Sequence, residues 1–197
     1  MDTYEIKGHT LEYIDDGHIY IVDGVIVPSV TQILKRRFGG MYSGVDEQTL
    51  NAAAEAGTAL HKEIELYCTD GIEGNTDEFR GFQFLQRKYS FTAERNEVPL
   101  ILFRHEKPYA AGRCDMVVRH VGKTGGADIK RVSSLNKEYV GYQLNLYRMA
   151  YFQSYDVEWE FIWAIHLRGL KRKITALPIN PKAAEDLIDE YERSRYE

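Results

Sequence analysis

Residues 110–134 read AAGRCDMVVRHVGKTGGADIKRVSS, and this stretch decides the fold because it holds two hydrophobic runs close together in the chain. The pattern predicts strands over residues 109–119 and 125–130. Each run carries one aspartate, Asp115 in CDMVV and Asp128 in DIK. If the two strands pair as a hairpin, Asp115 can lie beside Asp128 on the sheet.

The triplet DIK places a lysine two residues after the second aspartate. Because side chains alternate along a strand, Asp128 and Lys130 point to one face and Ile129 points into the core on the other. Two close carboxylates repel each other unless a divalent cation lies between them, and oxygen ligands suit Mg²⁺ or Mn²⁺. Lys130 would then be a positive group beside the metal. The same spacing also fits a cross-strand salt bridge on a solvated face, and spacing alone leaves both interpretations open.

The rest of the chain predicts an α/β fold around this hairpin. Residues 3–27 alternate apolar and polar residues and predict an antiparallel meander. Ser29 and Gln32 form a capping box at the start of a helix. Further helices are predicted at about 46–68, 77–89 and 137–154 and from Asn180-Pro181 onward, and further strands at 91–104, 157–166 and 172–178.

We therefore predict a single domain over residues 1–197 with a mixed central sheet flanked by helices. Its parts are an N-terminal β-meander (1–28), a helical segment (29–90), a sheet core (91–178) and a C-terminal helix (180–197).

Two residue pairs on the predicted helices are candidates for a site. His61 and Glu65 lie four residues apart and share one helical face. A lone helical histidine is more often a packed or surface residue than a ligand. Gln143 and Tyr147 are also four apart, on the helix that follows DIK. Tyr147 belongs to the apolar stripe of Val140, Leu144 and Tyr151 as well, so a core role fits it equally.

Composition excludes several classes of protein. The chain has 197 residues, of which 44% are hydrophobic and 28% charged, as is typical of a globular domain. Its apolar runs are too short to span a bilayer, and its start does not resemble a secretion signal. Two cysteines cannot form a disulfide framework or hold a four-cysteine iron–sulfur cluster. We expect a cytoplasmic protein without a membrane partner.

The net charge of −5 argues weakly against a nucleic-acid-binding protein. Acidic residues concentrate near both ends of the chain, whereas basic residues cluster at 35–37, at Lys130-Arg131 with Lys137, and at 168–173. Such clusters are usually solvated faces, and they matter here only if they surround a site.

Five short motifs, taken in order, resemble one nuclease family. GTALH, NEVPL, GRCD, DIK and QLNLY are similar to motifs of the RecB-like, lambda-exonuclease-like and Cas4-like branch of the PD-(D/E)XK nuclease superfamily. This branch includes phage-type and mitochondrial genome-maintenance exonucleases. The segment VPSVTQIL is similar to one that precedes the nuclease motifs in several members. The resemblance covers about residues 25–165 and implies a restriction-endonuclease-like core.

The resemblance also implies roles for individual residues. His61, Asp115, Asp128 and the backbone carbonyl of Ile129 match the metal ligands, and Lys130 matches the catalytic lysine. Glu97 or Glu65 matches a less uniform acidic position, for which Glu94 competes with Glu97. Gln143 and Tyr147 match a motif that braces the site and contacts the nucleic-acid strand, and we expect Arg131 and Lys137 to help bind that strand.

The function implied is that of a DNA nuclease, with an exonuclease favoured, which uses one or two Mg²⁺ or Mn²⁺ ions and no iron–sulfur cluster. Its partner would be DNA that is single-stranded or has a free end, and a helicase or annealing protein would be a separate chain. Two alternatives remain open. One is a catalytically silent nuclease fold that serves as a DNA-binding or assembly module, and the other is a structure-specific endonuclease.

Overall fold

A computed structural model describes residues 1–41 and 43–195, and its elements follow the predicted order closely. The strands are β1 (Asp2–Ile6), β2 (His9–Ile14), β3 (Ile19–Val22), β4 (Val25–Val27), β5 (Phe91–Arg104), β6 (Lys107–His120), β7 (Lys123–Lys130), β8 (Phe161–Arg168) and β9 (Lys171–Leu177). The helices are α1 (Val30–Phe38), α2 (Glu47–Asp70), α3 (Asp77–Tyr89), α4 (Lys137–Tyr155) and α5 (Pro181–Arg193).

The first four strands form an antiparallel sheet in the order β1-β2-β3-β4, which confirms the predicted meander. Its inner face carries Leu11 and Val22, which pack with Ile101 of β5 and Ala111 of β6 in one hydrophobic cluster. The meander therefore lies against the first hairpin of the main sheet. Helix α1 follows directly and begins at the predicted capping box of Ser29.

The main sheet has five strands in the order β5-β6-β7-β8-β9. Strands β7 and β8, which α4 connects, pair in parallel, and every other pair of neighbouring strands in this sheet is antiparallel. This is the predicted fold class, an α/β domain with a mixed central sheet flanked by helices and an N-terminal meander. Within residues 1–41 and 43–195, none of the helices combines the length and the apolar character needed to span a bilayer.

Helices cover both faces of the main sheet. Helices α1, α4 and α5 contribute to a cluster on one face, which includes Leu34, Leu144 and Leu187. Helices α2 and α3 contribute to a cluster on the other face, which includes Ile64 and Phe82. Asp128 and its neighbours on β7 therefore lie in the middle of a three-layer structure, where water is largely excluded.

The packing of two aromatic rings explains why β7 has glycine at positions 125 and 126. A Cβ at Gly125 would collide with the ring of Phe161, and a Cβ at Gly126 would collide with the ring of Trp159. Both aromatic rings close over β7, and the absence of side chains at these two positions lets them approach the backbone.

The predicted strand at 157–166 is wrong at its start, because β8 begins only at Phe161. The alternation of Val157, Glu158 and Trp159 imitates a strand. Trp159 is instead fully buried in the connection after α4, where its ring packs over Gly126. The predicted C-terminal helix is also shorter, since α5 ends at Arg193, and the last two predicted positions, 196 and 197, lie outside the described residues.

Helix α4 also covers part of the outer edge of the main sheet. The Ser154 hydroxyl accepts a hydrogen bond from Ile101 N (3.0 Å) and donates one to Ile101 O (3.1 Å). The Gln153 amide bonds Phe103 N (2.8 Å) and Phe103 O (3.1 Å) in the same way. These side chains satisfy the backbone groups of β5 as a neighbouring strand would.

Candidate functional site

Three acidic residues lie side by side on three neighbouring strands. The β5–β6 pairs Asn96–Met116 and Val98–Cys114 place Glu97 opposite Asp115. The β6–β7 pair Met116–Ala127 places Asp115 opposite Asp128 in turn. The register of the sheet therefore brings together carboxylates that are 13 to 31 residues apart in sequence.

Asp115 lies where β6 and β7 stop pairing. The last backbone pair of these strands is Met116–Ala127, and beyond it the Asp115 Oδ2 atom accepts a hydrogen bond from Ile129 N (2.7 Å). The carboxylate thus takes the place of a backbone acceptor at the point where the strands separate. This hydrogen bond fixes the orientation of Asp115, whose side chain is 13% exposed.

Asp128 and Lys130 form an ion pair on the face of β7 that packs on α4. The Lys130 Nζ atom donates to Asp128 Oδ1 at 2.9 Å and lies 2.8 Å from Oδ2. Asp128 is almost fully buried, and its Oδ2 atom has no hydrogen bond among the described residues. The Lys130 side chain is 21% exposed, so the lysine reaches from the buried carboxylate to the surface.

Burial and neighbouring charge set the protonation of this pair. Burial raises the pKa of Asp128 to about 6, and Asp115 adds to the effect while Lys130 opposes it. Burial alone would lower the pKa of Lys130, but the negative charges of Asp128 and Asp115 outweigh it and raise that pKa. Lys130 therefore stays positively charged at neutral pH.

His61 approaches the acids from α2. Its Nε2 atom donates to the carbonyl of Ile129 (3.0 Å) and lies 3.8 Å from Asp115 Oδ2, while Nδ1 lies 3.7 Å from Glu97 Oε1. Burial favours the neutral ring, but Asp115, Glu97 and Asp128 together raise the pKa of His61 to about 9. The imidazole is thus oriented and polarised by the same carboxylates that would share a cation with it.

These residues fit a divalent metal ion. Ligand atoms of His61, Glu97 and Asp115 all lie within 4.8 Å of one another. One nitrogen and two carboxylate oxygens form a donor set suited to Mn²⁺ and acceptable to Mg²⁺. Asp128, which the sequence also predicted as a ligand, is not part of this group, because its two carboxylate oxygens lie 2.9 Å and 2.8 Å from Lys130 Nζ. The Ile129 carbonyl faces His61, in the same space.

The structure distinguishes between the candidate auxiliary acids. Glu97 belongs to the cluster. Glu65 pairs with Lys62 (2.9 Å) on α2, and Glu94 of β5 pairs with Arg119 of β6 (2.8 Å). The sequence motif NEVPL does not reveal this choice, because it depends on the β5–β6 register.

The backbone of β5 is unusual at Glu97. Its φ angle is +47°, a left-handed conformation in the middle of a strand, and a register shift between Ala93 and Arg95 precedes it. The Arg113 Nε atom lies 2.8 Å from Glu97 Oε2, and the Arg113 guanidinium stacks on Tyr13 of the meander at 4.7 Å. Strained residues of this kind persist only where surrounding contacts hold them. Sequence analysis missed Arg113, although it stands in the GRCD motif.

Because of this conformation, we expect Glu97→Gly to be more stable than Glu97→Ala by about 1 kcal/mol in the free energy of unfolding, since glycine adopts positive φ without a steric cost. Urea titration of both variants in EDTA measures the difference. Thr92, an exposed and extended residue of the same strand, is the matched control, and there alanine should be the more stable by about 0.5 to 1 kcal/mol. The same order at both positions would contradict the strained backbone.

Gln143 and Tyr147 lie on the buried side of α4, against the acids. Each is 5% exposed, and the Oε1 atom of Gln143 has no hydrogen bond among the described residues. A Cβ at Gly112 would lie 2.9 Å from the Tyr147 ring, which explains the glycine of GRCD. Burial raises the pKa of Tyr147, and the charges of Asp115 and Asp128 add to it. The pair is therefore placed to brace the site, and its contact with a strand stays a prediction.

Arg131 and Lys137, the two basic residues predicted to bind a DNA strand, lie in different environments. Arg131 donates to Glu78 on α3 (3.0 Å), and the same carboxylate accepts from Gly169 N (3.0 Å). Arg131 is thus held on the opposite face of the sheet from Lys130. Lys137 is exposed in the first turn of α4. The roles of both in binding a strand stay predictions.

A cleft of about 920 Å³ opens beside His61 and Glu97, between the meander, α2 and β5. Its acidic lining residues are Asp2, Glu5, Asp15, Glu65 and Glu97, and its basic lining residues are Lys62, Arg95 and Arg113. We call it the acidic cleft. Its excess of carboxylates favours the approach of cations to the candidate metal ligands.

Comparisons with known proteins add little to this geometry. No protein-family model matches the chain, and no curated protein matches it. A solved structure described as "Crystal structure of SSO0001" is similar to it with a TM-score of 0.49 and 16% sequence identity, over 85% of this chain and 76% of that one. A likeness of this degree carries no argument about function.

Proposed function

We propose that the protein is a divalent-metal-dependent deoxyribonuclease that hydrolyses phosphodiester bonds with Mg²⁺ or Mn²⁺. The observation that carries the proposal is the charged Lys130, hydrogen-bonded to buried Asp128 beside the cluster of His61, Glu97 and Asp115. A fixed cation next to a metal-binding group can stabilise an anionic phosphate as its bond to the leaving oxygen breaks. The resemblance of the five motifs to RecB-like nucleases supports the same assignment.

The metal supplies charge neutralisation of the phosphate and lowers the pKa of a water molecule. The side chains of the candidate site have separate roles. Asp115 and Glu97 offer carboxylate oxygens and His61 offers an imidazole nitrogen, while Ile129 N holds Asp115 in place. Arg113 holds the second oxygen of Glu97, which leaves the first directed toward His61.

Lys130 acts as a donor rather than as a base. The charges of Asp128 and Asp115 raise its pKa, so its ammonium group keeps its proton at neutral pH. It can instead orient the attacking water or hold a non-bridging phosphate oxygen, while Asp128 fixes its position from the buried side. Stabilisation of developing negative charge by a preorganised donor is commonly the largest contribution to such a rate enhancement.

The basic segments found in the sequence are partly neutralised within the fold. Arg37 pairs with Glu190, and Arg131 pairs with Glu78. Arg172 stacks on Phe84 at 4.1 Å. Arg37 and Arg131 therefore contribute less to DNA binding than their charge suggests, whereas the stacked Arg172 keeps its charge. The exonuclease mode, the free DNA end and the separate helicase or annealing protein rest on the family resemblance alone.

Cleavage assays on four DNA forms test the proposal. End-labelled linear DNA and closed circular DNA, each single- and double-stranded, are incubated with Mg²⁺, Mn²⁺ or EDTA. We expect labelled linear DNA to be degraded with either metal and to survive in EDTA, and circular DNA to resist if the enzyme needs an end. Survival of all four forms in both metals, or equal cleavage in EDTA, would contradict a metal-dependent nuclease.

A further inference from the structure

A second cavity lies beside Lys130, on the side of β7 that faces α4. Its volume is about 270 Å³, and its walls are the apolar side chains of Met41, Val132, Leu135 and Val140 with Tyr139. Lys130 is the only charged residue among those described in its lining. We call this cavity the loop pocket, because residues 131–136 between β7 and α4 form much of its wall.

The loop pocket is preformed by hydrogen bonds from outside the loop. His166 of β8, which is buried, donates from Nε2 to Val132 O (2.6 Å), and the Lys171 ammonium donates to Ser133 O (2.9 Å). Asn136 caps α4 through Tyr139 N (3.0 Å), and its amide contacts Met41 Sδ at 3.1 Å. A pocket whose wall is fixed in this way binds a ligand without the entropy cost of ordering the loop.

Tyr139 gives the loop pocket an oriented aromatic wall. Its ring meets Phe38 edge-on, with 5.4 Å between centroids, which restrains its rotation. Tyr139 and Lys130 line the same cavity. The pocket therefore combines an aromatic ring, apolar walls and one cation at its rim.

The charge of the two cavities decides on which side of the site a polyanion lies. The acidic cleft has five carboxylates against Lys62, Arg95, Arg113 and His61, so without a bound cation it favours a phosphate less than the loop pocket does. The loop pocket has no carboxylate among its described lining residues, and Lys130 stands at its edge. This arrangement matches a ligand with two portions. One portion is planar and uncharged and fills the loop pocket, and the other is anionic and lies at Lys130. A nucleobase joined through its sugar to a phosphate has these properties.

We propose that the loop pocket receives one unpaired nucleobase of the DNA strand whose phosphate lies at Lys130, an inference that rests on the proposed nuclease function. A base in a duplex is stacked and paired, so it must leave the helix before it can enter a pocket of this kind. The substrate is thus a DNA strand that is single-stranded, or frayed, at the nucleotide next to the cleaved bond.

Abasic substitution tests this subsite. Single-stranded oligonucleotides that carry one tetrahydrofuran residue at successive positions around the cleaved bond are digested with Mn²⁺. For wild type, we expect the abasic residue to lower kcat/KM by about tenfold or more at one of these positions. This is the usual effect of losing one base–aromatic stack. Two variants should cleave intact and abasic substrates at equal rates. Tyr139→Ala removes the aromatic wall of the pocket, and Ser134→Trp fills the pocket from an exposed position.

Tyr142→Ala is the matched control. Tyr142 lies on the same helix and also packs against Phe38 (5.6 Å) but does not line the loop pocket. It should keep the wild-type sensitivity to the abasic position. A binding readout accompanies the rates: 2-aminopurine at the sensitive position should change its fluorescence with wild type in EDTA and not with Tyr139→Ala.

The outcomes separate the subsite from the function. If wild type cleaves DNA but no abasic position matters, or if Tyr139→Ala and Ser134→Trp keep the full abasic penalty, the subsite is refuted and the nuclease function stands. If wild type cleaves double-stranded DNA but none of these oligonucleotides, only the subsite is refuted, and if it cleaves no form of DNA with either metal, both proposals fail.

Discussion

Lys130→Gln is expected to lower the single-turnover rate of DNA cleavage by about 10²- to 10³-fold, because it removes a fixed positive charge at the reacting phosphate. Glutamine keeps an N–H group that can donate to Asp128, so fold and Mn²⁺ binding should change little. Lys130→Ala is a poorer choice, since it leaves the buried Asp128 without its ion-pair partner, and a broken buried pair is strongly destabilising.

Lys123→Gln is the matched control for this experiment. Lys123 begins the same strand, is well exposed and pairs with Glu160 at 3.3 Å. Its replacement should leave the cleavage rate at the wild-type level. A wild-type rate in Lys130→Gln would refute the assigned role of Lys130, and an equal loss in both variants would point to a general effect on β7.

Asp115→Asn is expected to abolish the stabilisation of the fold by Mn²⁺. An ion that binds only the native state adds about 2.7 kcal/mol at a hundredfold excess over its Kd. For a domain of this size the gain corresponds to a rise in Tm of about 5 to 10 °C. Asparagine keeps an oxygen that can accept from Ile129 N, so the variant removes the charge and spares the hydrogen bond. Thermal unfolding with Mn²⁺ and with EDTA measures both shifts.

Asp186→Asn on the acidic helix α5 serves as the control for nonspecific binding. The Asp186 side chain is half-buried and pairs with Lys182 at 3.2 Å, far from the site in sequence. Its variant should keep the full Mn²⁺ shift. If Asp115→Asn keeps the shift and Asp186→Asn loses it, the ion binds on α5 and the metal assignment is wrong.

The sequence predicts the parts of the site that depend on local geometry. A hairpin between two short strands is a local structure, so the apposition of Asp115 and Asp128 follows from the alternation of residues in one segment. The orientation of Lys130 beside Asp128 follows from the two-residue period of a strand. The buried stripe of Val140, Leu144 and Tyr147 follows from helical periodicity in the same way.

Other parts depend on contacts between distant segments and leave no local signal. The choice of Glu97 over Glu94 is set by the β5–β6 register and by a left-handed residue that no motif announces. Arg131 is held on the face of the sheet opposite to Lys130 by Glu78, 53 residues earlier in the chain. The late start of β8 results from the burial of Trp159, which alternation cannot distinguish from a strand residue.

The hydrogen bonds from Ser154 and Gln153 to the edge strand β5 have a consequence for aggregation. An open border strand is a template on which a second chain can add its own strand, and fibrils grow in this way. Here the backbone groups of Ile101 and Phe103 are already occupied by side chains of a helix. Detachment of α4 would uncover them, so the aggregation-prone species should be a partly unfolded intermediate that has lost this helix, rather than the native protein.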